Sequence, residues 1–177
     1  MIKSEKTVTR SFRISELALK ILQEDSQRQN VSVNTLVNQI LLSYVNFDRY
    51  AKKFNFLRFS SIALRYLLES IPDEAIIHVS YNAGKEVSEP FILSKEGVLT
   101  LDSILDYLRN LSIYGNLFEY NEVIKDDKKT ITLTHTLGPK GSLFIAHYLQ
   151  PLFERIGVNA YFSLSEHTVL IEIKESS

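Results

Sequence analysis

Lys6-Thr7-Val8-Thr9-Arg10-Ser11-Phe12-Arg13-Ile14-Ser15 is the stretch on which the reading of the chain turns. Side chains alternate along a strand with period two, so Val8, Phe12 and Ile14 share one face and Thr7, Thr9, Ser11 and Arg13 the other. Arg10 breaks the pattern, a charge on the otherwise apolar face. A two-stranded ribbon is marginal without a hydrophobic layer to pack on, so a strand over residues 6–14 is expected to find both a partner strand and a cover.

The residues that follow supply the cover. Ser15 suits an N-cap and Glu16 places a carboxylate in the first turn of a helix, where the macrodipole favours it. Leu17, Ala18, Leu19, Ile21 and Leu22 give this helix an apolar stripe that fades through residues 23–29, and Asn30 stands where a left-handed residue would end it. Ser32 is the next N-cap. From there Val33, Leu36, Val37, Ile40, Leu41, Tyr44 and Phe47 recur at three- and four-residue spacing, with Val45 widening the stripe. That face is too large for one short helix to cover, so a second copy of the chain is expected against it.

The order strand, helix, tight turn, helix over roughly residues 6–48 resembles the ribbon-helix-helix family of Arc- and MetJ-type repressors. The alternation Thr9, Ser11, Arg13 around Phe12 and Ile14 carries the resemblance, together with the turn Val31-Ser32-Val33-Asn34. It implies that two chains pair their strands antiparallel and insert the ribbon into the major groove of DNA. Thr9, Ser11 and Arg13 would then face base edges. Phe12, Ile14, Leu36, Val37, Ile40 and Leu41 would form the dimer core, and the backbone amides of Ser32, Val33 and Asn34 would hold a phosphate. Arg10 sits where an apolar residue would be equally natural, so it is assigned to a phosphate. Each role fits the chemistry: β-ribbons enter the major groove, Arg bonds guanine bidentately, and helix N-termini bind anions. The plainer alternative is an ordinary edge strand with Arg13 a solvated charge.

Composition sets outer bounds. The chain has 177 residues, 45% of them hydrophobic and 23% charged, enough for one or two domains with a real core. It has no cysteine, which removes disulfides, thiolate metal sites and Cys nucleophiles together. Residues 1–5 lack an apolar run and no later stretch approaches the length of a membrane span, so a cytoplasmic protein without a membrane partner is expected. Net charge is only -1, yet residues 1–53 hold nine Lys or Arg against five acids, +4, which leaves -5 for the rest. A basic module joined to an acidic one suits a DNA-binding domain with a separate second domain.

The expected organisation is a ribbon-helix-helix DNA-binding and dimerisation domain over residues 1–50, a connecting helix over 51–72, and an α+β regulatory or assembly domain over 73–177. Residues 48–53 contain neither Pro nor Gly and read as a stiff, helical continuation. An aromatic cluster, Phe54, Phe56 and Phe59, precedes a helix capped by Ser60 or Ser61 that stops near Ile71-Pro72. Ala75-Ile76-Ile77-His78-Val79-Ser80-Tyr81 reads as a strand and residues 82–85 as a turn. Then come a helix from Thr100 or Asp102, strands over 117–124 and 130–137 joined by a charged turn, a helix from the Gly138–Ser142 segment to Gly157, and strands over 158–164 and 168–173. Strand, helix, strand, strand, helix, strand is the split βαβ order of a ferredoxin-like α/β sandwich. Duplication of a half is conceivable, but no residue-level repeat stands out.

Chemistry in the second domain is sparse. His78, His135, His147 and His167 show no metal-ligand spacing. A nickel-responsive repressor would combine the same two domain types, but it would need a His-x-His pair and a Cys, and neither is here. Gly138-Pro139-Lys140-Gly141-Ser142 is either an anion-binding turn or a plain strand-to-helix turn, and it lacks P-loop spacing. No catalytic set emerges, so neither an enzyme nor a cofactor is expected. The leading expectation is a homodimeric transcriptional regulator on double-stranded DNA, with a tetramer as a further assembly open to it, whose second domain senses a small-molecule effector or mediates oligomerisation. An antitoxin-like autoregulator and a ligand-binding protein that merely dimerises through residues 1–50 are the alternatives.

Overall fold

The computed structural model describes residues 7–125 and 128–174. Lys6, at the start of the expected strand, and Asp126 and Asp127, in the expected charged turn, lie outside the described residues. The chain divides between Ser43 and Tyr44 into two compact units.

Unit 1 contains helices α1 (Glu16–Arg28) and α2 (Val33–Ser43). Its caps follow the sequence. Ser15 Oγ accepts the Ala18 N–H at 3.2 Å, with Glu16 in the first turn and Arg28 in the last. Asn30 takes φ 54°, while the Val31 and Asn30 amides donate to the carbonyls of Ser26 and Gln27, closing the helix with a Schellman turn. Ser32 Oγ then accepts the Thr35 N–H at 3.0 Å and starts α2. The strand expected over residues 6–14 is not formed within the single chain: residues 7–14 are in neither helix nor strand. A strand has no ladder without a partner, and among the described residues none of the four strands pairs with this segment.

Unit 2 opens with a π-helical turn (Tyr44–Asp48) and α3 (Arg49–Lys53). The connection expected over 51–72 is not one continuous helix: as the Ser60 cap suggests, it is made in two pieces. α3 stops at Lys53, Asn55 takes φ 54°, and α4 (Ser61–Glu69) starts afresh from Ser60, whose Oγ accepts the Ala63 N–H. Packing holds the break in place, for the Phe54 and Phe56 rings both lie tilted against Phe91, with centroids 5.8 and 5.6 Å away.

A larger correction concerns residues 75–81, which belong to helix α5 (Asp73–Ala83) and not to a strand. Pro72 enters with φ -61° and ψ 149°, and Asp73 and Glu74 occupy the first turn, where carboxylates favour a helix. The β-branched run Ile76, Ile77, Val79 suggests a strand, but the buried positions are Ile76, Ser80 and Gly84, four residues apart. Ser80 is fully buried and donates its hydroxyl to the Ile76 carbonyl at 2.7 Å, so a polar residue sits at a core position without an unpaired group. The turn expected at residues 82–85 is likewise helical. α5 runs into a second π-helical turn (Gly84–Ser88) and α6 (Glu89–Glu96), which ends at Gly97 with φ 75°.

The remaining elements are α7 (Leu101–Ile113), β1 (Glu119–Lys125), β2 (Lys128–Thr134), α8 (Gly138–Arg155), β3 (Ala160–Leu164) and β4 (Thr168–Lys174). Thr100 and Ser103 form a reciprocal capping box at the start of α7. The four strands make one antiparallel sheet in the order β1-β2-β4-β3, so the protein is α+β. With residues 75–81 helical, the last six elements run helix, strand, strand twice over, which is not the strand-first order expected of a ferredoxin-like sandwich. One face of the sheet is sealed: Ile131, Leu133, Val169, Ile171 and Ile173 are buried in one core with Leu108 of α7 and Ile145, Leu149 and Leu152 of α8.

Those six elements form an internal structural repeat. Glu122 pairs with Ile131 in the first hairpin and Phe162 with Ile171 in the second, each moved by forty positions. Ile104, Tyr107, Leu108 and Leu111 of α7 recur forty-one positions later as Ile145, Tyr148, Leu149 and Leu152 of α8. The sheet order is unchanged when the hairpins are exchanged, so a local two-fold axis passes between β2 and β4. Equivalent residues meet there. Ile131 lies opposite Ile171, and the Tyr107 and Tyr148 hydroxyls are 2.8 Å apart in the core.

Gly84 marks the tightest approach in unit 2, since a Cβ there would lie 2.1 Å from the Tyr148 carbonyl oxygen. Gly84→Ala should therefore lower the free energy of unfolding by about 1–3 kcal/mol or more, the cost of overpacking against backbone. Chemical denaturation measures it.

Candidate nucleic-acid interface

The interface anticipated from the sequence lies wholly in unit 1. Thr9, Arg10, Ser11 and Arg13 are all exposed, along residues 7–14. Arg10 turns back on its own backbone, donating from Nη1 to the Thr9 carbonyl at 3.1 Å. The apolar residues of the same segment are exposed too: Val8 by 71%, Phe12 by 75% and Ile14 by 52%. Of the other expected dimer-core residues, Leu36 is buried, Val37 is half-buried, and Ile40 and Leu41 remain about half exposed. Leu36 is the one buried large hydrophobic residue among the described residues of unit 1. A unit with so little interior leaves its apolar surface to be covered by something else.

The second part of the site is the start of α2. The first amides of a helix have no acceptor within it, and Ser32, Val33 and Asn34 stand at that position. The Ser32 hydroxyl satisfies Thr35, one residue further on. α2 has no acidic residue in its first turn, unlike α1 with Glu16 and α5 with Asp73 and Glu74. An anion at this end therefore meets the positive end of the helix dipole with no carboxylate of that turn to oppose it.

Unit 2 brings together groups that the sequence does not pair. His135 is buried at the end of β2, and its Nδ1 accepts the Leu137 N–H at 3.1 Å. The proton of the neutral ring is thereby placed on Nε2, which donates to Ser142 Oγ at 2.8 Å. Ser142 in turn donates to the Ser165 carbonyl at 2.6 Å. Each donor in this relay has its acceptor, and the serine proton points away from the imidazole, so the pair is a structural latch between β2, α8 and the β3–β4 turn. A nucleophile would need the opposite arrangement. Burial and the neighbouring His167 together hold the His135 pKa down at about 4.

The remaining expected sites are accounted for in the same way. His78 bonds to Asn82 and His147 to Gln150, and among the described residues no group of three or more His, Asp or Glu side chains converges as a metal site. The Gly138–Ser142 segment, expected as a turn, is the first turn of α8, and in it Lys140 reaches the Glu69 and Ile71 carbonyls and lies 3.6 Å from Asp73. Its charge serves the C-terminal end of α4. Among the described residues no helix is long and apolar enough to cross a membrane. No protein-family model matches the chain, and no curated protein matches it.

The latch has a pH signature. The unfolded chain protonates His135 near pH 6.5 and the folded chain only near 4, so the unfolded state binds more protons between those values. Stability should fall as pH drops through that window, by up to roughly 3 kcal/mol. His135→Gln, which cannot titrate, should flatten this part of the profile when unfolding free energy is measured from pH 7 to pH 4.

Proposed function

We propose that the chain is a dimeric DNA-binding regulator that reads the major groove through a ribbon made of residues 7–14 from two copies, with unit 2 as an assembly or ligand-sensing domain. One observation carries the proposal: an unpaired segment with exposed Val8, Phe12 and Ile14 leads directly into a capped helix pair in which Leu36 is the one buried large hydrophobic residue. A second copy supplies both things this unit lacks, a partner strand and a cover for its apolar residues. In that dimer the alternation places Thr9, Ser11 and Arg13 together on the face opposite Phe12 and Ile14. Arg13 is the long donor of that set and suits the O6 and N7 acceptors of guanine, whereas Thr9 and Ser11 accept several base edges. The amides of Ser32, Val33 and Asn34 at the acid-free start of α2 suit a DNA phosphate, which fixes the ribbon's position but reads no sequence.

Genome-wide selection of bound DNA with the full chain tests this reading, and affinity should fall steeply with salt. Arg13→Ala should cost roughly 1–3 kcal/mol in specific binding while the dimer stays folded. Unchanged specific binding by that variant would remove Arg13 from base reading. Ile40→Asp should abolish the dimer and DNA binding together, as read by sedimentation and by titration with the selected DNA; a DNA-competent monomer would overturn the dimeric ribbon.

A further inference from the structure

The sheet of unit 2 ends on two free edges, β1 and the shorter β3. Most of the devices that blunt a sheet edge are missing from β1. It has no proline, it pairs with β2 without a bulge from Glu119–Thr134 to Lys125–Lys128, and its neighbours Val123 and Ile124 are 55% and 59% exposed. The charge that it turns towards the helices, Glu122, is held by Arg109. The Tyr120 N–H donates to Ser112 Oγ at 3.1 Å, so the backbone groups of Tyr120, Glu122 and Ile124 turn away from β2 and towards the edge. Those of Glu122 and Ile124 meet no partner among the described residues.

We propose that β1 pairs antiparallel with β1 of a second copy, joining two unit 2 sheets into one. The inference rests on the dimer proposed for unit 1, and that dimer identifies the occupant of the edge. It tethers a second β1 at an effective concentration in the millimolar range, where even a short strand pair forms. One register uses the open backbone groups and no others. With a two-fold axis at Val123, Glu122 exchanges both its backbone bonds with the partner's Ile124, while Tyr120, whose N–H is already taken, lies outside the pairing. Val123 then meets the partner's Val123 across the axis, and each covers the other's exposed side chain. Lys125 comes opposite the partner's Asn121 and diagonal to the partner's Glu119. Neither Glu119 nor Lys125 has an ion pair among the described residues, so these opposite charges are open to one another. Moving the axis to Glu122 would set two carboxylates face to face and call on the Tyr120 N–H.

The chain has no cysteine, so an introduced thiol reports on the edge without interference. Residues facing each other in a pair without mutual backbone bonds have Cα atoms about 4.5 Å apart, within the reach of a disulfide. Val123→Cys in the full chain, oxidised with copper phenanthroline, should therefore form a disulfide-linked dimer in a fraction that does not depend on protein concentration. Asn121→Cys, exposed on the same strand and the same face, should stay reduced, whereas Asn121→Cys with Lys125→Cys in one chain should link again. Adding Ile124→Pro to Val123→Cys removes an edge donor that β2 does not use, and should cut the disulfide at least tenfold while sedimentation still shows a dimer. A dimer of the Val123→Cys variant whose thiols stay free, or an Asn121→Cys variant that links as readily, overturns this inference and leaves the unit 1 dimer standing. A monomer in sedimentation overturns both.

Discussion

The hydrogen-bonded pairing of β2 with β4 is the contact on which unit 2 depends. Ile131 and Ile171 face each other across it, both fully buried, and each belongs to a hairpin that has one other neighbour and one free edge. Neither hairpin with its helix encloses a core alone, since a two-stranded ribbon is marginal in water and one helix covers only part of it. Joined at β2 and β4, each half roofs the other. The Tyr107–Tyr148 bond repeats the pattern one layer up, where burial raises both phenol pKa values and keeps the two hydroxyls protonated. α5 and the π-helical turn after it complete the roof with Ser80 and Gly84 buried, and without a glycine at 84 the chain could not lie so close to the α8 backbone.

Unit 1 faces the opposite situation. It has sound local structure, with both helices capped and the turn between them closed, yet it has almost no interior. Local propensity sets where its helices begin and end, but it cannot supply the burial that offsets conformational entropy. The two units thus show two solutions to one problem. Unit 2 contains two like halves, α7–β2 and α8–β4, within one chain. On the proposed function, unit 1 obtains its second copy from another molecule.

What could be read from the sequence follows the same division. Ser15, Asn30, Ser32 and Thr100 are local signals, and each sits at the helix end it indicates. The two hairpins were legible from alternation and turn residues to within a few positions. Residues 75–81 were not, because the face that matters is made of Ser80 and Gly84, which carry no hydrophobic signal, while the apolar Ile77 and Val79 point outward. The break at residues 54–60 shows locally in the aromatic cluster and the Ser60 cap, whereas its packing on Phe91, far along the chain, does not. The repeat is hidden in the sequence because few positions recur and because the offset changes from forty-one in the helices to forty in the strands. In the candidate interface, period two separates two faces of residues 7–14, but in the single chain both faces are exposed, and the His135–Ser142–Ser165 latch required the fold to bring three distant elements together.

Repeated halves need not be alike at their outer rims. Glu122 on β1 is held by Arg109 of α7 through two bonds of 3.0 and 3.1 Å, and the matching positions in the other half are Phe162 and Gln150. One end of the sheet therefore closes with an ion pair and the other with an aromatic ring that meets Phe153 edge-on. The two halves keep a common centre while their margins have taken on different chemistry. A domain built this way has a front and a back despite its inner symmetry, and either margin is free to change without disturbing the other.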